Sequence, residues 1–212
     1  MKRYKESFKL KEAKKIINKT QLKKDFTDAI DENHKLENFV SHDYHCLMLP
    51  LNDDFVRTNM KFLQKNIKLQ DIYNDKTNNF GLESNYHITI LYGLKNEKDY
   101  AAIKKYFNEQ PEIKVLIGDL SLFENQDKPY DVLKFNIISK DLVRHNTYIK
   151  ENFDCNITFS NYQPHLTVAY LKKGQGKKYL NFDSDLTDEV FTESEIVFSF
   201  ADGRKLIIDL EG

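Results

Sequence analysis

The sequence predicts a mixed fold of strands and helices, and three observations favour this prediction. From residue 42 onward, short runs that alternate apolar and polar side chains, as strands do, are interspersed with segments of helical apolar spacing. The order strand–helix–strand occurs twice, over 44–93 and over 131–171. Two more strand-like runs follow near the end of the chain, around Asp202 and Gly203, a pair typical of a type I′ hairpin turn.

The first 40 of the 212 residues differ from the rest. Ten Lys or Arg and only two acids lie between Met1 and Lys24, and apolar residues recur at helical spacing as far as Ile30. We expect a basic helical N-terminal extension, 1–40, followed by the main domain, 41–212. A charge run on such a helix is usually a solvated face, although a nucleic-acid contact stays open.

The main domain begins with a strand, a capped helix and a second strand. Tyr44–Leu51 has strand character, and Asp53 is a good N-cap for the helix that follows. The second strand covers Tyr86–Gly93. The helix places apolar residues at positions i, i+4, i+7 and i+11, namely Val56, Met60, Leu63 and Ile67.

The rest of the domain continues with helices and strands of ordinary length. A helix with Tyr100, Ile103 and Phe107 on one face ends before Pro111. The later elements, in chain order, are strands 114–123 and 131–138, a helix 139–153, a strand 165–171 and hairpin strands 196–200 and 205–210.

Two of these strands carry the same histidine pattern. They read YHITILY from residue 86 and PHLTVAY from residue 164. Side chains alternate between the two faces of a strand, so His87 and Thr89 share one face, and so do His165 and Thr167. Each strand therefore presents an imidazole and a hydroxyl side by side, with aliphatic residues on the other face.

The repetition of this pattern is more informative than the pattern itself. Chance predicts about 0.3 His-x-Thr matches from six His and ten Thr in this chain, which has three. The third, from His145 to Thr147, lies in a predicted helix, where residues i and i+2 do not face each other. Two copies in matching strands, each with aliphatic flanks, indicate a shared function.

Two histidines suit the cleavage of a phosphodiester. The reaction needs a base and an acid on opposite sides of phosphorus, and imidazole serves both roles because its ordinary pKa is about 6.5. The threonine hydroxyls can donate to the non-bridging oxygens. This chemistry requires no metal and no other cofactor.

Around these motifs, residues 42–212 resemble the 2H (two-histidine) phosphoesterase superfamily, whose mark is a pair of His-x-Thr/Ser motifs. The resemblance implies an α+β class and a bilobal, pseudo-twofold fold in which two antiparallel sheets flank a central groove, with helices outside. We expect lobes of roughly 41–125 and 126–212 and leave open an exchange of strands between them. It also implies that the two motif histidines are the acid/base pair and that the two motif threonines bind phosphate, without saying which histidine is the acid.

Within the superfamily, the chain looks most like the phage enzymes that degrade cyclic oligonucleotide signals of the CBASS defence. This likeness implies a metal-independent phosphodiesterase that hydrolyses 3′–5′ bonds of such a signal in the host cytoplasm. One alternative is an RNA-end enzyme, either a 2′,3′-cyclic phosphodiesterase or a 3′ exonuclease. A second is a non-catalytic nucleotide-binding or virion protein, which would keep affinity but show no turnover.

Two further residues are candidates for substrate contact. Phe123 ends a predicted strand beside a polar loop, where its ring could stack on a base; core packing is the alternative. Lys172 leaves the second motif strand and could attract a phosphorylated substrate; a solvated turn is the alternative.

Two other features predict structure rather than function. Tyr92 and Tyr170 lie an even number of residues from the core positions Ile88 and Val168, so we expect both tyrosines in the core. The segment 41–46 holds two His, an Asp and a Cys, but its histidines have odd spacing and point to opposite faces of a strand. We therefore expect no metal site.

Composition limits the functions that the chain can have. Lys and Arg number 32 against 33 acids, and this balance argues against a protein that coats nucleic acid through a global basic field. No apolar run approaches the roughly 18 residues of a membrane span, and the N-terminus lacks a signal-peptide pattern. Cys46 and Cys155 are typical of two free thiols, so we expect a cytoplasmic protein. No protein partner is evident.

Overall fold

The computed structural model describes residues 42–75, 80–124, 126–157 and 161–211. The predicted N-terminal extension lies outside these residues. The strands are β1 His45–Pro50, β2 His87–Leu94, β3 Ile113–Glu124, β4 Tyr130–Ile138, β5 His165–Lys172, β6 Val190–Glu193, β7 Glu195–Ser199 and β8 Lys205–Asp209. The helices are α1 Asp54–Lys65, α2 Tyr100–Asn108 and α3 Lys140–Asn152.

All eight strands belong to one antiparallel sheet, in the order β6-β3-β4-β5-β2-β1-β7-β8. The α+β class and the antiparallel pairing are therefore confirmed. The two separate sheets expected from the sequence are not found, because the described strands form one sheet with two four-stranded halves. They meet where β2 and β5 pair at Ile88 and Leu166.

Each half of the sheet contains strands from both of the sequence segments expected to form lobes. β3, which comes from 41–125, pairs with β4 and β6. β7, which comes from 126–212, pairs with β1. Within the described residues, these pairings connect strands that are far apart in the chain.

The helices form where the sequence predicts them, for local reasons. The Asp53 carboxylate accepts a hydrogen bond of 2.8 Å from the amide of Phe55 and caps α1. The Ser139 hydroxyl caps α3 in the same way, accepting from the amide of Leu142. Buried residues of α1 and α3 pack with those of the sheet in one core, which includes Val56, Met60, Leu63, Leu142, Ile149, Leu49, Ile88, Phe135 and Leu166.

The turn between β7 and β8 differs from the predicted type I′ geometry. That turn needs positive φ at both central residues, but only Gly203 has it, with φ of 92°. The amide of Gly203 instead donates to the carbonyl of Phe200 at 3.0 Å, and the amide of Phe200 donates to the carbonyl of Arg204 at 2.7 Å. The prediction of a two-residue turn was wrong, because β7 ends at Ser199 and β8 begins at Lys205, which leaves five residues between the strands.

Across the described ranges, no helix is both long and apolar enough to cross a membrane.

Candidate active site

The two His/Thr motifs lie on adjoining strands at the centre of the sheet. β2 and β5 pair at Ile88 and Leu166, and both of these side chains are fully buried. The residues on either side of them project to the opposite face. The imidazoles and hydroxyls of both motifs therefore share one face of the sheet, opposite the core.

The two imidazole rings are held in the same way. Nδ1 of His87 lies 2.6 Å from the carbonyl oxygen of Asn85, and Nδ1 of His165 lies 2.8 Å from that of Gln163. Because a carbonyl oxygen can only accept, Nδ1 carries the proton in both rings. In the neutral form, Nε2 of each ring is then free to accept a proton, which is the state that a general base requires.

The two histidines differ in their electrostatic surroundings. Burial lowers the pKa of His165 below its ordinary value, and the nearby positive charges of Lys134 and His87 lower it further. The hydrogen bond to the carbonyl of Gln163 acts in the opposite direction. Burial and the nearby positive charges thus favour the neutral form of His165.

A one-residue bulge follows each motif and changes which side chains face the site. In β2 the extra residue is Ile90, because Thr89 pairs with Met48 of β1 and Leu91 pairs with Leu47 of β1. In β5 the extra residue is Val168, because Thr167 pairs with Lys134 of β4 and Ala169 pairs with Leu133 of β4.

These bulges contradict the prediction that the tyrosines after the motifs lie in the core. A one-residue slip moves every later side chain to the other face. Tyr92 pairs with Cys46 and is 41% exposed, and Tyr170 pairs with Val132 on the strand face that also carries Lys134. The tyrosines therefore lie on the face of the histidines, because the strands do not keep strict alternation.

Three polar residues that the sequence analysis missed extend the site across β3 and β4. Lys134 pairs with Thr167 and with Ser121, and Asn136 pairs with His165. The ammonium of Lys134 donates to the hydroxyl of Ser121 at 2.8 Å and to the side-chain oxygen of Asn136. The only signal in the sequence was a lysine between Leu133 and Phe135, near the centre of a predicted strand.

Tyr162 is a fourth residue that the sequence analysis missed. Its hydroxyl donates a 2.8 Å hydrogen bond to the backbone carbonyl of Thr89. It comes from the segment before β5, so this bond links the approach to one motif with the backbone of the other. Burial raises the pKa of the phenol, which therefore stays protonated as the donor.

The structure brings Phe123 into contact with the motif residues. Its ring lies 4.8 Å from the ring of His165, centroid to centroid, in an edge-to-face arrangement. Nζ of Lys134 lies 4.1 Å from the Phe123 ring centroid, in cation–π geometry. Phe123 is partly buried, so core packing alone does not describe its position.

We expect Phe123→Ala to lower kcat/KM by an amount equivalent to about 1–3 kcal/mol if the ring stacks on a substrate base. The matched control is Phe123→Leu, which keeps an apolar side chain but removes the aromatic ring. Kinetics of both purified variants would separate stacking from packing. Full activity of the leucine variant would indicate that Phe123 contributes through packing and not through stacking on a base.

Lys172 lies at the far end of β5 from the histidine. It pairs with Tyr130 and is exposed. It lies five positions after Thr167, which is about 16 Å along an extended strand. Lys172 is therefore not brought together with the motif residues, and its predicted contact would involve a distant part of an extended ligand.

The histidines and cysteine of segment 41–46 do not form a common site. The buried ring of His45 accepts a 2.9 Å hydrogen bond from the amide of Ala201 at Nδ1. Cys46 instead interacts with Thr89, and burial raises its pKa to about 12. The described part of the chain contains no group of three or more His, Cys, Asp or Glu able to hold a metal ion.

Comparison with known proteins identifies relatives only at the level of structure. No family model matches the sequence, and no curated protein matches it. Solved structures do match, at low sequence identity and over nearly the whole length of the other chain. Usb1 from Kluyveromyces marxianus with uridine monophosphate is 14% identical, covering 79% of this chain and 98% of its own, with a TM-score of 0.56.

Two bacterial structures are similar to the same extent. The protein TT0787 of Thermus thermophilus is 12% identical, covering 80% of this chain and 98% of its own, with a TM-score of 0.55. E. coli LigT complexed with 3′-AMP is 13% identical, covering 79% and 95%, with a TM-score of 0.52. These proteins belong to the 2H phosphoesterase superfamily, and the likeness shows that this chain has their fold.

Proposed function

We propose that this chain is a metal-independent phosphodiesterase that uses His87 and His165 as its acid/base pair. The observation that carries the proposal is that the two rings share one face of the sheet and make the same hydrogen bond through Nδ1. Each Nδ1 donates to the carbonyl two residues earlier, which leaves each Nε2 for proton transfer. The superfamily fold agrees with this chemistry.

We infer the two roles from the surroundings of the rings. His165, whose neutral form is favoured, is the general base and takes the proton from the attacking hydroxyl. His87, in its protonated form, is the general acid and gives a proton to the leaving oxygen. Thr89 and Thr167 donate hydrogen bonds to the non-bridging oxygens, where negative charge increases in the transition state.

We propose a cyclic oligonucleotide signal as the substrate, on the resemblance to the phage enzymes. The 2′-hydroxyl attacks the adjacent phosphorus, and its proton goes to His165. The bond from phosphorus to the 5′-oxygen breaks, and that oxygen receives the proton of His87. The ring opens to a linear product with a 2′,3′-cyclic phosphate and a free 5′-hydroxyl, and in such a phage protein this would silence an immune signal of the host.

An RNA end is the second candidate substrate, and the structural relatives favour it. Usb1 and LigT have been solved with uridine monophosphate and with 3′-AMP, respectively. A site that holds one nucleotide is compatible with a 2′,3′-cyclic phosphodiesterase or a 3′ exonuclease. The same histidine pair serves both reactions, so the surroundings of the motifs must decide between the substrates.

A substrate panel tests the function and separates the candidates. The full chain would be incubated with cyclic di- and trinucleotides, linear oligonucleotides and 2′,3′-cyclic mononucleotides, each in excess EDTA. We expect cleavage in EDTA, because two motifs with one histidine and one hydroxyl each provide too few ligands for a catalytic zinc. Activity that disappears in EDTA and returns with zinc would contradict the mechanism, and affinity without turnover would indicate a binding protein.

The pH dependence of the reaction tests the two-histidine mechanism and the lowered pKa of His165. We expect kcat/KM to be bell-shaped in pH, with limbs that report the macroscopic pKa values of the pair. Because the pKa of His165 is lowered, the acid limb should lie below the ordinary value of about 6.5. An acid limb at or above that value would contradict a lowered pKa for His165.

A further inference from the structure

Lys134 is a buried cation that has no carboxylate partner among the described residues. Only 4% of its surface is exposed. Its ammonium contacts three uncharged groups, which are the Ser121 hydroxyl, the Asn136 side-chain oxygen and the face of the Phe123 ring. Burying an unpaired charge is costly, so such a group is normally paired or neutralised.

The position of Lys134 connects this charge with the motif residues. Thr167 is its direct neighbour on β5, and His165 is the neighbour of Asn136 on the same strand. Neighbouring strands are about 4.8 Å apart, so the backbone of Lys134 lies beside the second motif. The positive charge of Lys134 helps to lower the pKa of His165.

The ammonium makes two hydrogen bonds, and beside its third donor the described residues place only the face of the Phe123 ring. Lysine has three N–H donors, and two of them are directed at Ser121 and Asn136. The described part of the chain supplies no third hydrogen-bond partner. The neutral neighbours fix the position of the nitrogen without cancelling its charge, which is the arrangement that an anion-binding group needs.

The other half of the sheet shows that packing alone does not require a cation here. Met48 pairs with Thr89 on β1, as Lys134 pairs with Thr167 on β4, and Met48 is 8% exposed. The position beside one motif threonine is thus filled by a neutral side chain of similar length. The lysine beside the other threonine makes the face chemically asymmetric.

We propose that Lys134 binds a non-bridging oxygen of the substrate phosphate beside Thr167, an inference that rests on the proposed phosphodiesterase function. The phosphate supplies the missing counter-charge, and the ammonium offsets the extra negative charge that develops on the oxygens in the transition state. Burial lowers the pKa of Lys134 in the free protein, and a bound anion reverses this by favouring the protonated form.

Inorganic phosphate is the probe that tests this site without relying on turnover. Its affinity would be measured by titration calorimetry for the full chain, for Lys134→Met and for the control Lys95→Met. The methionine keeps the length of the side chain and imitates the position of Met48. Lys95 is an exposed lysine whose ammonium pairs with Asp154 at 2.8 Å, so its replacement removes the same charge away from the motifs.

We expect Lys134→Met to weaken phosphate binding by about ten- to a hundredfold, the usual range for a hydrogen bond to a charged group. Lys95→Met should bind phosphate like the natural chain. The acid limb of kcat/KM should also move to higher pH in Lys134→Met, because the positive charge that lowers the pKa of His165 is gone. A role in packing alone would not change this limb.

Two results would overturn the inference. One is unchanged phosphate affinity in folded Lys134→Met, and the other is a natural chain that binds no phosphate. If Lys134→Met does not fold, Lys134→Gln gives the same test, since its amide can still bond to Ser121. A chain that lacks phosphodiesterase activity but binds phosphate through Lys134 would support this inference while excluding the proposed function.

Discussion

Replacing His87 or His165 with alanine should lower kcat/KM by about 10²–10⁴-fold, the usual contribution of a general acid or base. Each replacement removes one of the two proton transfers, and the remaining imidazole cannot perform both at once. The variants should stay folded, because Ile88 and Leu166, on the opposite face of the strands, keep their buried contacts. Steady-state kinetics with thermal melting of each variant would measure both effects.

The double variant of the two histidines should be little worse than either single variant. The residues serve one concerted transfer, and such units are strongly non-additive. His42→Ala is the matched control, because that histidine is exposed and precedes the first strand. Near-natural turnover in folded His87→Ala or His165→Ala would exclude the proposed mechanism, whatever the substrate.

Gly93→Ala should be the most destabilising small change in the sheet. Gly93 has φ of +119°, and a Cβ built there would lie 2.2 Å from the carbonyl oxygen of Asn156. The carbonyl of Gly93 also accepts a 2.8 Å hydrogen bond from the amide of Asn156, so relief of the clash would break that contact. We expect a loss of at least about 3 kcal/mol in the free energy of unfolding, combining backbone strain with the lost hydrogen bond.

Gly174→Ala separates the steric clash from the backbone strain. Gly174 also has positive φ, +76°, but an added Cβ there would meet no atom within 4 Å. Its replacement should cost only the left-handed backbone penalty of about 1–2 kcal/mol. Chemical denaturation of both variants would measure the difference, and equal losses would show that the approach of Asn156 to Gly93 is not limiting.

Much of the site was predictable because its parts are local. Side-chain alternation over three residues places His87 beside Thr89 and His165 beside Thr167, and this requires only a strand. The cap residues Asp53 and Ser139 act on amides within three positions of themselves. Patterns that span only two or three residues can be identified from the sequence alone.

The sequence could not predict the direction of the tyrosines that follow the motifs. Alternation placed Tyr92 and Tyr170 in the core, but a bulge after each motif returned them to the face of the histidines. A bulge arises when two strands of unequal local length are paired. It is therefore a property of the pair, and neither strand shows it alone.

The sequence by itself determined the mixture of strands and helices, the order of the elements and the two motifs, because each depends on near neighbours in the chain. Only the tertiary structure decided which strands adjoin. It placed β2 against β5, and it brought Lys134, Ser121 and Asn136 from a hairpin to the side of His165. These neighbours depend on hydrogen bonds between residues far apart in the chain, and on the burial of one common face. The surroundings of Lys134 are known only when the strands on both sides of β4 are known.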